Sequence, residues 1–139
     1  MSVLTKVFVR ANAFIFKISR GLLGSQMGTQ QVLLLDTTGR KSGKPYHTPL
    51  AYYKDGNNYL IVASNWGQEA LPDWFLNLRQ KSKTTIQVKN LHIQVEATEA
   101  QGTDYERCWN IVSQQNSLYL GYQKKLKRQI PVVMLKPIS

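Results

Sequence analysis

The segment Asp36-Thr-Thr-Gly-Arg-Lys-Ser-Gly-Lys-Pro-Tyr-His-Thr-Pro49 gathers the residues of this 139-residue chain best suited to hold an anion. Gly39 and Gly43 can take positive φ at no steric cost, so the backbone can curl and turn several N–H groups toward one point. Thr37, Thr38 and Ser42 add hydroxyls. Arg40, Lys41 and Lys44 add positive charge, and the Arg40 guanidinium can donate as a bidentate fork. Pro45 and Pro49 stiffen the exit. These are the parts of a phosphate cradle, and an ordinary basic hairpin tip has the same parts. A Walker-type loop is excluded, because only three residues separate the two glycines.

Other chemistry is sparse. Ser64 has no nucleophile-elbow setting, and Cys108 falls in an expected helix with no base beside it, as a small buried hydrophobe. His47 and His92 are too few and too separated for a metal, so no metal site is expected. The aromatic residues offer more. Leu71, Trp74, Phe75 and Leu78 share one face of an expected helix, a spacing that by itself favours core. Trp66 beside Gly67 fits a cleft better, and Tyr119 and Tyr122, one helical turn apart, share a face that is either core or pocket mouth. A chain without a nucleophile–base pair suits chemistry carried by a bound cofactor.

The elements that must position these groups follow from periodicity. Residues 3–22 read as an amphipathic helix. Val3, Val7, Ala11, Phe14, Ile18 and Leu22 form its apolar stripe, with Lys6, Arg10, Lys17 and Arg20 beside it. Gly21, Gly24 and Gly28 end it. Short β-type runs follow at 31–37, 46–54 and 59–64, the last two joined by Asp55-Gly56-Asn57-Asn58, a strong hairpin turn. A helix is expected over 71–81, with Pro72 in its first turn. A hairpin over 84–89 and 92–98 turns at Asn90-Leu91. Thr103 to Glu106 reads as a capping box opening a helix to about Gln114. Residues 117–127 are mixed, and 130–135 form a closing strand entered at Pro131. No βαβ alternation occurs. The expected class is α+β: a small barrel of about six mostly antiparallel strands, with an N-terminal helix and two to three inserted helices. Residues 1–28 form the helix and its link, and 29–139 the barrel domain.

Charge narrows the partners. Eighteen Lys and Arg oppose eight Asp and Glu, a formal +10, and the first acidic residue is Asp36. Basic runs at 1–28, at Arg40-Lys41-Lys44 and at Lys124-Lys125-Lys127-Arg128 attract phosphates, nucleic acid or an acidic membrane surface. Nucleic acid ranks last, because the aromatics are not interleaved with the basic runs. A single cysteine excludes a disulfide scaffold, and no apolar stretch is long enough to span a bilayer. No secretory leader is expected, so the expected location is cytoplasmic, with the N-terminal helix as the element that would lie on the inner face of a membrane.

The run TTGRKSGKPYHTPL, then YYKDGNNYLIVASNWG, then LPDWFLNL, resembles the deazaflavin-dependent nitroreductase family, a group of split β-barrel oxidoreductases related to flavin mononucleotide (FMN)-binding barrels. The likeness spans roughly Val32 to Pro137. It implies binding of coenzyme F420 in an extended groove and hydride transfer from its reduced form to a small hydrophobic acceptor, a quinone, an enone or a nitro-aromatic. By the resemblance, Arg40, Lys41, Ser42 and Gly43 face the phosphate and acidic tail. Thr48 and Pro49 lie beside the ring system, and Ala63, Ser64 and Asn65 contact it. Trp74 and Asn77 hold its far side. Tyr119 and Tyr122 line the acceptor side, where a Tyr119, Tyr122 or Ser64 hydroxyl would aid protonation.

The chain departs from the family pattern at three positions and in a shorter segment between Tyr122 and Arg128 than the nitroimidazole-reducing members have. Tyr46 stands where the family usually has arginine after the loop proline, Asn65 where lysine is common, and Trp66 where glycine is. Tyr46 removes a strong phosphate contact. These departures keep two other readings open: an FMN-dependent oxidoreductase on the same barrel, and a non-catalytic fatty-acid or lipid binder. Pairing of two barrels as a homodimer is open as well.

Overall fold

The computed structural model describes residues 31–138, so the amphipathic helix expected over 3–22, and the membrane contact assigned to it, lie outside the described residues. Six strands close into a barrel in the order β1-β2-β3-β6-β5-β4, every pair antiparallel. They are β1 (Gln31–Thr38), β2 (Pro45–Asp55), β3 (Asn58–Val62), β4 (Lys83–Val88), β5 (Leu91–Glu99) and β6 (Val132–Pro137). Pairing of Leu34 with Gln87 and Leu35 with Ile86 joins β1 to β4 and removes the open edges a flat sheet would leave. Three helices are inserted: α1 (Asp73–Gln80), α2 (Gly102–Gln115) and α3 (Leu118–Lys125).

Alternation along the strands builds two cores. Leu33, Leu35, Ile61, Ile86, Val95, Val133 and Leu135 point into the barrel, and Phe75 and Leu78 of α1 pack against them. The intervening residues Leu60, Val62, Val132 and Met134 face outward and are covered by Cys108 and Val112 of α2 and Tyr119 of α3. Both faces of β3 and β6 are therefore dry, which is why these strands read as unbroken apolar runs. Each such side chain contributes roughly 1.5–3 kcal/mol on burial.

Turn chemistry fixes the register, with some departures from the sequence reading. Gly56, at φ +61°, and Asn57 close the β2–β3 hairpin as expected. The β4–β5 turn falls at Lys89-Asn90, one residue earlier than expected, with Val88 opposite Leu91 and Lys89 at φ +56°. Strand β3 stops at Val62: the Ala63 N–H still bonds the Pro131 carbonyl in register, but Pro131 has no N–H to return, and the chain then turns sharply. Pro72 is extended and caps α1 from outside it. The capping box does not form. Gly102, at φ +60°, turns the chain into α2 behind Gln101, so Thr103 already lies within the first turn. The mixed segment after Ser117 is helical, as α3.

Candidate functional site

The β1–β2 loop is held down by α1. The buried Asn77 side chain accepts the Arg40 N–H at 3.1 Å and the Arg40 guanidinium at 2.9 Å, and its own amide reaches Thr37 Oγ1 at 3.5 Å. The other arm of the guanidinium donates to Asp73 Oδ1 at 3.2 Å. Inside the loop, the Gly39 N–H bonds to the Lys44 carbonyl, the Gly43 N–H to the Gly39 carbonyl, and the Lys44 N–H to Ser42 Oγ. A Cβ on Gly39 would come within 2.7 Å of Ser42 Oγ and 2.8 Å of the Tyr46 ring, so this close approach needs glycine. The donor cluster is narrower than the glycine spacing suggested. Among the loop N–H groups, those of Lys41 and Ser42 have no acceptor among the described residues.

Against this loop lies a cavity of about 350 Å³, lined by Thr37, Arg40, Lys41, Ser42, Tyr46 and Thr48, with Asp73, Trp74 and Asn77 from α1. Arg40 is already paired with Asp73, so Lys41, which is exposed, is the lining cation not held by a carboxylate. A second cavity of about 560 Å³ opens beyond Thr48 and Trp74, which line both. Pro49, Leu50 and Ala51 form its β2 wall, Ser64, Asn65 and Trp66 its rim, and Asn116, Leu118, Tyr119 and Tyr122 its helical side. One space is basic and hydroxyl-rich; the other is mainly apolar and aromatic.

The rim is backbone in a costly conformation. Asn65, Trp66 and Gly67 all have positive φ, at +48°, +58° and +80°. Arg128 holds them there. Its guanidinium donates to the carbonyls of Ala63, Ser64, Gln68 and Glu69 at 2.8–3.2 Å, with Ala70 at 3.5 Å. Burial lowers its pKa from the usual arginine value. Asn65 adds a bond from its amide to the Ala70 carbonyl at 2.8 Å. A Cβ on Gly67 would come within 2.8 Å of the Tyr122 ring, so rim and α3 are in direct contact. Trp66 is 79% exposed. Tyr119 is buried, with its hydroxyl 3.0 Å from that of Tyr53, and burial raises its pKa well above the usual phenol range.

The structure thus gathers Arg40, Lys41, Ser42, Tyr46, Thr48, Trp74 and Asn77 around the basic cavity, and Pro49, Ser64, Asn65, Tyr119 and Tyr122 around the apolar one. Gly43 and Ala63 line neither. The Gly43 N–H is spent on Gly39, and Ala63 is fully buried with its N–H on Pro131. The sequence reading missed Asn116 and Leu118, for which spacing gives no signal, and Tyr53. It misassigned Arg128, which is not part of a free basic run but an internal clamp. Trp74, favoured as core by spacing, is buried and also walls both cavities. Cys108 is buried, and desolvation raises its pKa, so it offers no nucleophile.

Four likenesses to known proteins bear on this site. A family model described as F420H(2)-dependent quinone reductase matches residues 8–137. An F420H(2)-dependent quinone reductase of Mycobacterium tuberculosis (strain ATCC 25618 / H37Rv) is 37% identical over 131 residues, covering 91% of this chain and 88% of the relative. A solved structure of an F420-H2 dependent reductase superposes with a TM-score of 0.71 at 30% identity, covering 76% of this chain and 94% of that one. Another, described as a domain-swapped dimer, gives a TM-score of 0.71 at 26% identity, covering 91% of this chain and 99% of that one.

Proposed function

The chain belongs to the F420H(2)-dependent quinone reductase family, and we propose that its two joined cavities hold the coenzyme and the acceptor, with the anionic tail at the Lys41–Ser42 end and the acceptor beside Tyr119 and Tyr122. It is an F420H2-dependent oxidoreductase on a split β-barrel. The carrying observation is that Thr48 and Trp74 line both cavities, so a basic compartment adjoins an apolar one. An elongated molecule with an anionic end and a flat ring fits that polarity.

Bound in its reduced form, F420 supplies the hydride; the protein's part is to bind, orient and exclude water. Lys41 and the free N–H groups of Lys41 and Ser42 meet negative charge, each charge-assisted contact contributing about 1.5–3 kcal/mol where water is excluded. Arg40 acts mainly by fixing the loop through Asn77 and Asp73, and adds positive field. Thr48, Pro49 and Trp74 form the flat passage for the ring, with Ser64 and Asn65 at its edge and Tyr46 beside the tail. The acceptor of this reading is a quinone, an apolar ring with two carbonyls, which suits a cavity with an aromatic and aliphatic wall and few polar groups.

The test is binding and turnover with both candidate cofactors. F420 should quench tryptophan fluorescence, and F420H2 should be oxidised by a water-soluble quinone. Tight binding of FMN without binding of F420 would overturn the assignment. Lys41→Ala should weaken F420 about tenfold at unchanged Tm, with a shallower salt dependence. Arg40→Ala should weaken binding and lower Tm together, because Asn77 and Asp73 both lose the guanidinium.

Two coarser points extend the reading. No helix among the described residues is long and apolar enough to cross a membrane. The contact proposed with an acidic membrane runs through residues 1–28, and equal pelleting with liposomes after their deletion would refute it. A homodimer is proposed on the likeness to the domain-swapped dimer; a monomeric mass in light scattering would refute that.

A further inference from the structure

Two polar side chains of the apolar cavity's wall, Tyr119 and Asn116, are linked to a third behind them, Tyr53. Tyr53 of β2 and Tyr119 of α3 are both buried. Their hydroxyl oxygens are 3.0 Å apart, and their rings meet edge to face with centroids 6.0 Å apart. Asn116 Nδ2 points at the Tyr53 hydroxyl from 3.5 Å. The amide cannot be the other way round without loss, because its Oδ1 accepts the Leu118 N–H at 3.1 Å.

Counting protons gives the direction of the tyrosine–tyrosine bond. Each hydroxyl has one proton to donate. If Tyr119 donated, the Tyr53 proton would sit in the core without an acceptor among the described residues. If Tyr53 donates, the spare proton belongs to Tyr119, which lines the cavity and can offer it to an occupant. Tyr53 lines neither cavity, so its own proton has no such outlet.

We infer that Tyr53, backed by Asn116, is a positioning residue that aims the Tyr119 hydroxyl proton into the acceptor cavity. This rests on the reading of that cavity as the acceptor site. A quinone that accepts a hydride, two electrons and one proton supplied by the reduced deazaflavin, becomes the hydroquinone monoanion, and one proton from solvent completes the hydroquinone. Tyr119 gives up no proton in this sequence. Burial keeps it protonated, and its O–H donates to the oxygen on which negative charge develops.

A double-mutant cycle tests this with kinetics and with a ligand that needs no coenzyme. Tyr119→Phe should lower kcat for a water-soluble quinone about 10–100-fold. Tyr53→Phe, which keeps the ring contact, should lower it about 5–20-fold with KM changed less than twofold. The double variant should match Tyr119→Phe alone, because Tyr53 acts through Tyr119. In parallel, 4-nitrophenolate serves as an oxyanion mimic and neutral 4-nitroanisole as its control, both followed by absorbance. Both single variants should weaken the phenolate several-fold and leave the anisole unchanged. Additive losses in the cycle, or a Tyr53→Phe variant like wild type with either readout, would overturn the inference. Absence of F420H2-dependent quinone turnover in the wild type would instead remove the functional reading beneath it.

Discussion

Asn77 and Arg40 lie 37 residues apart in sequence, yet one Asn77 oxygen accepts both the backbone N–H and the guanidinium of Arg40, at 3.1 and 2.9 Å. A buried amide on α1 therefore sets the position of the whole basic loop. Both residues are expected cofactor contacts, and each is first of all the other's anchor.

Removing that oxygen leaves two donors unpaired. Asn77→Ala should destabilise the protein by about 1–3 kcal/mol and weaken F420 at least tenfold. Asn77→Asp keeps an acceptor for Arg40 and should recover most of the affinity. Chemical denaturation and fluorescence titration of the two variants check this, and equal loss in both would refute the anchor.

Gly67 has positive φ and sits under the Tyr122 ring, so Gly67→Ala is penalised twice. It should cost about 1–2 kcal/mol and push Tyr122 out of place. The kinetic expression is a raised KM for the quinone with F420 affinity little changed. A crystal structure of the variant with Tyr122 unmoved would refute it.

Arg128 is a planar fork serving several carbonyls at once, and a lysine ammonium cannot reproduce that geometry. Arg128→Lys should therefore lose about 1.5–3 kcal/mol and loosen the segment from Ser64 to Ala70. Hydrogen exchange of those amides should rise selectively, with the barrel strands unaffected.

Tyr105 donates to the Ile130 carbonyl at 2.7 Å, and burial raises its pKa from 10.0 to about 12. A raised pKa means that the folded state holds the proton more firmly than the unfolded chain does. The stabilisation is full below pH 10 and is lost as pH rises toward 12. Wild type should lose stability across that window, and Tyr105→Phe should show a shallower loss. Urea midpoints measured at several alkaline pH values compare them.

Much of the fold was written in local pattern. Period-two runs and the Asp55-to-Asn58 turn specify antiparallel strands, and the Leu71–Leu78 face specifies a helix against the barrel, because burial and turn sterics act over a few residues. Composition likewise left no nucleophile–base pair in view, which suits chemistry carried by a cofactor, and the resemblance of the loop, hairpin and helix motifs said which one. Tertiary structure alone decided what each polar group is free to do. Arg128 reads as part of a basic run and Arg40 as a free anion-binding fork, and both are largely committed, one to loop carbonyls and the other to Asn77 and Asp73. Tyr53 reads as a strand residue, and it meets Tyr119 across 66 positions. Hydrogen bonds of that range depend on how the barrel closes and where the helices land on it, and no local spacing encodes either.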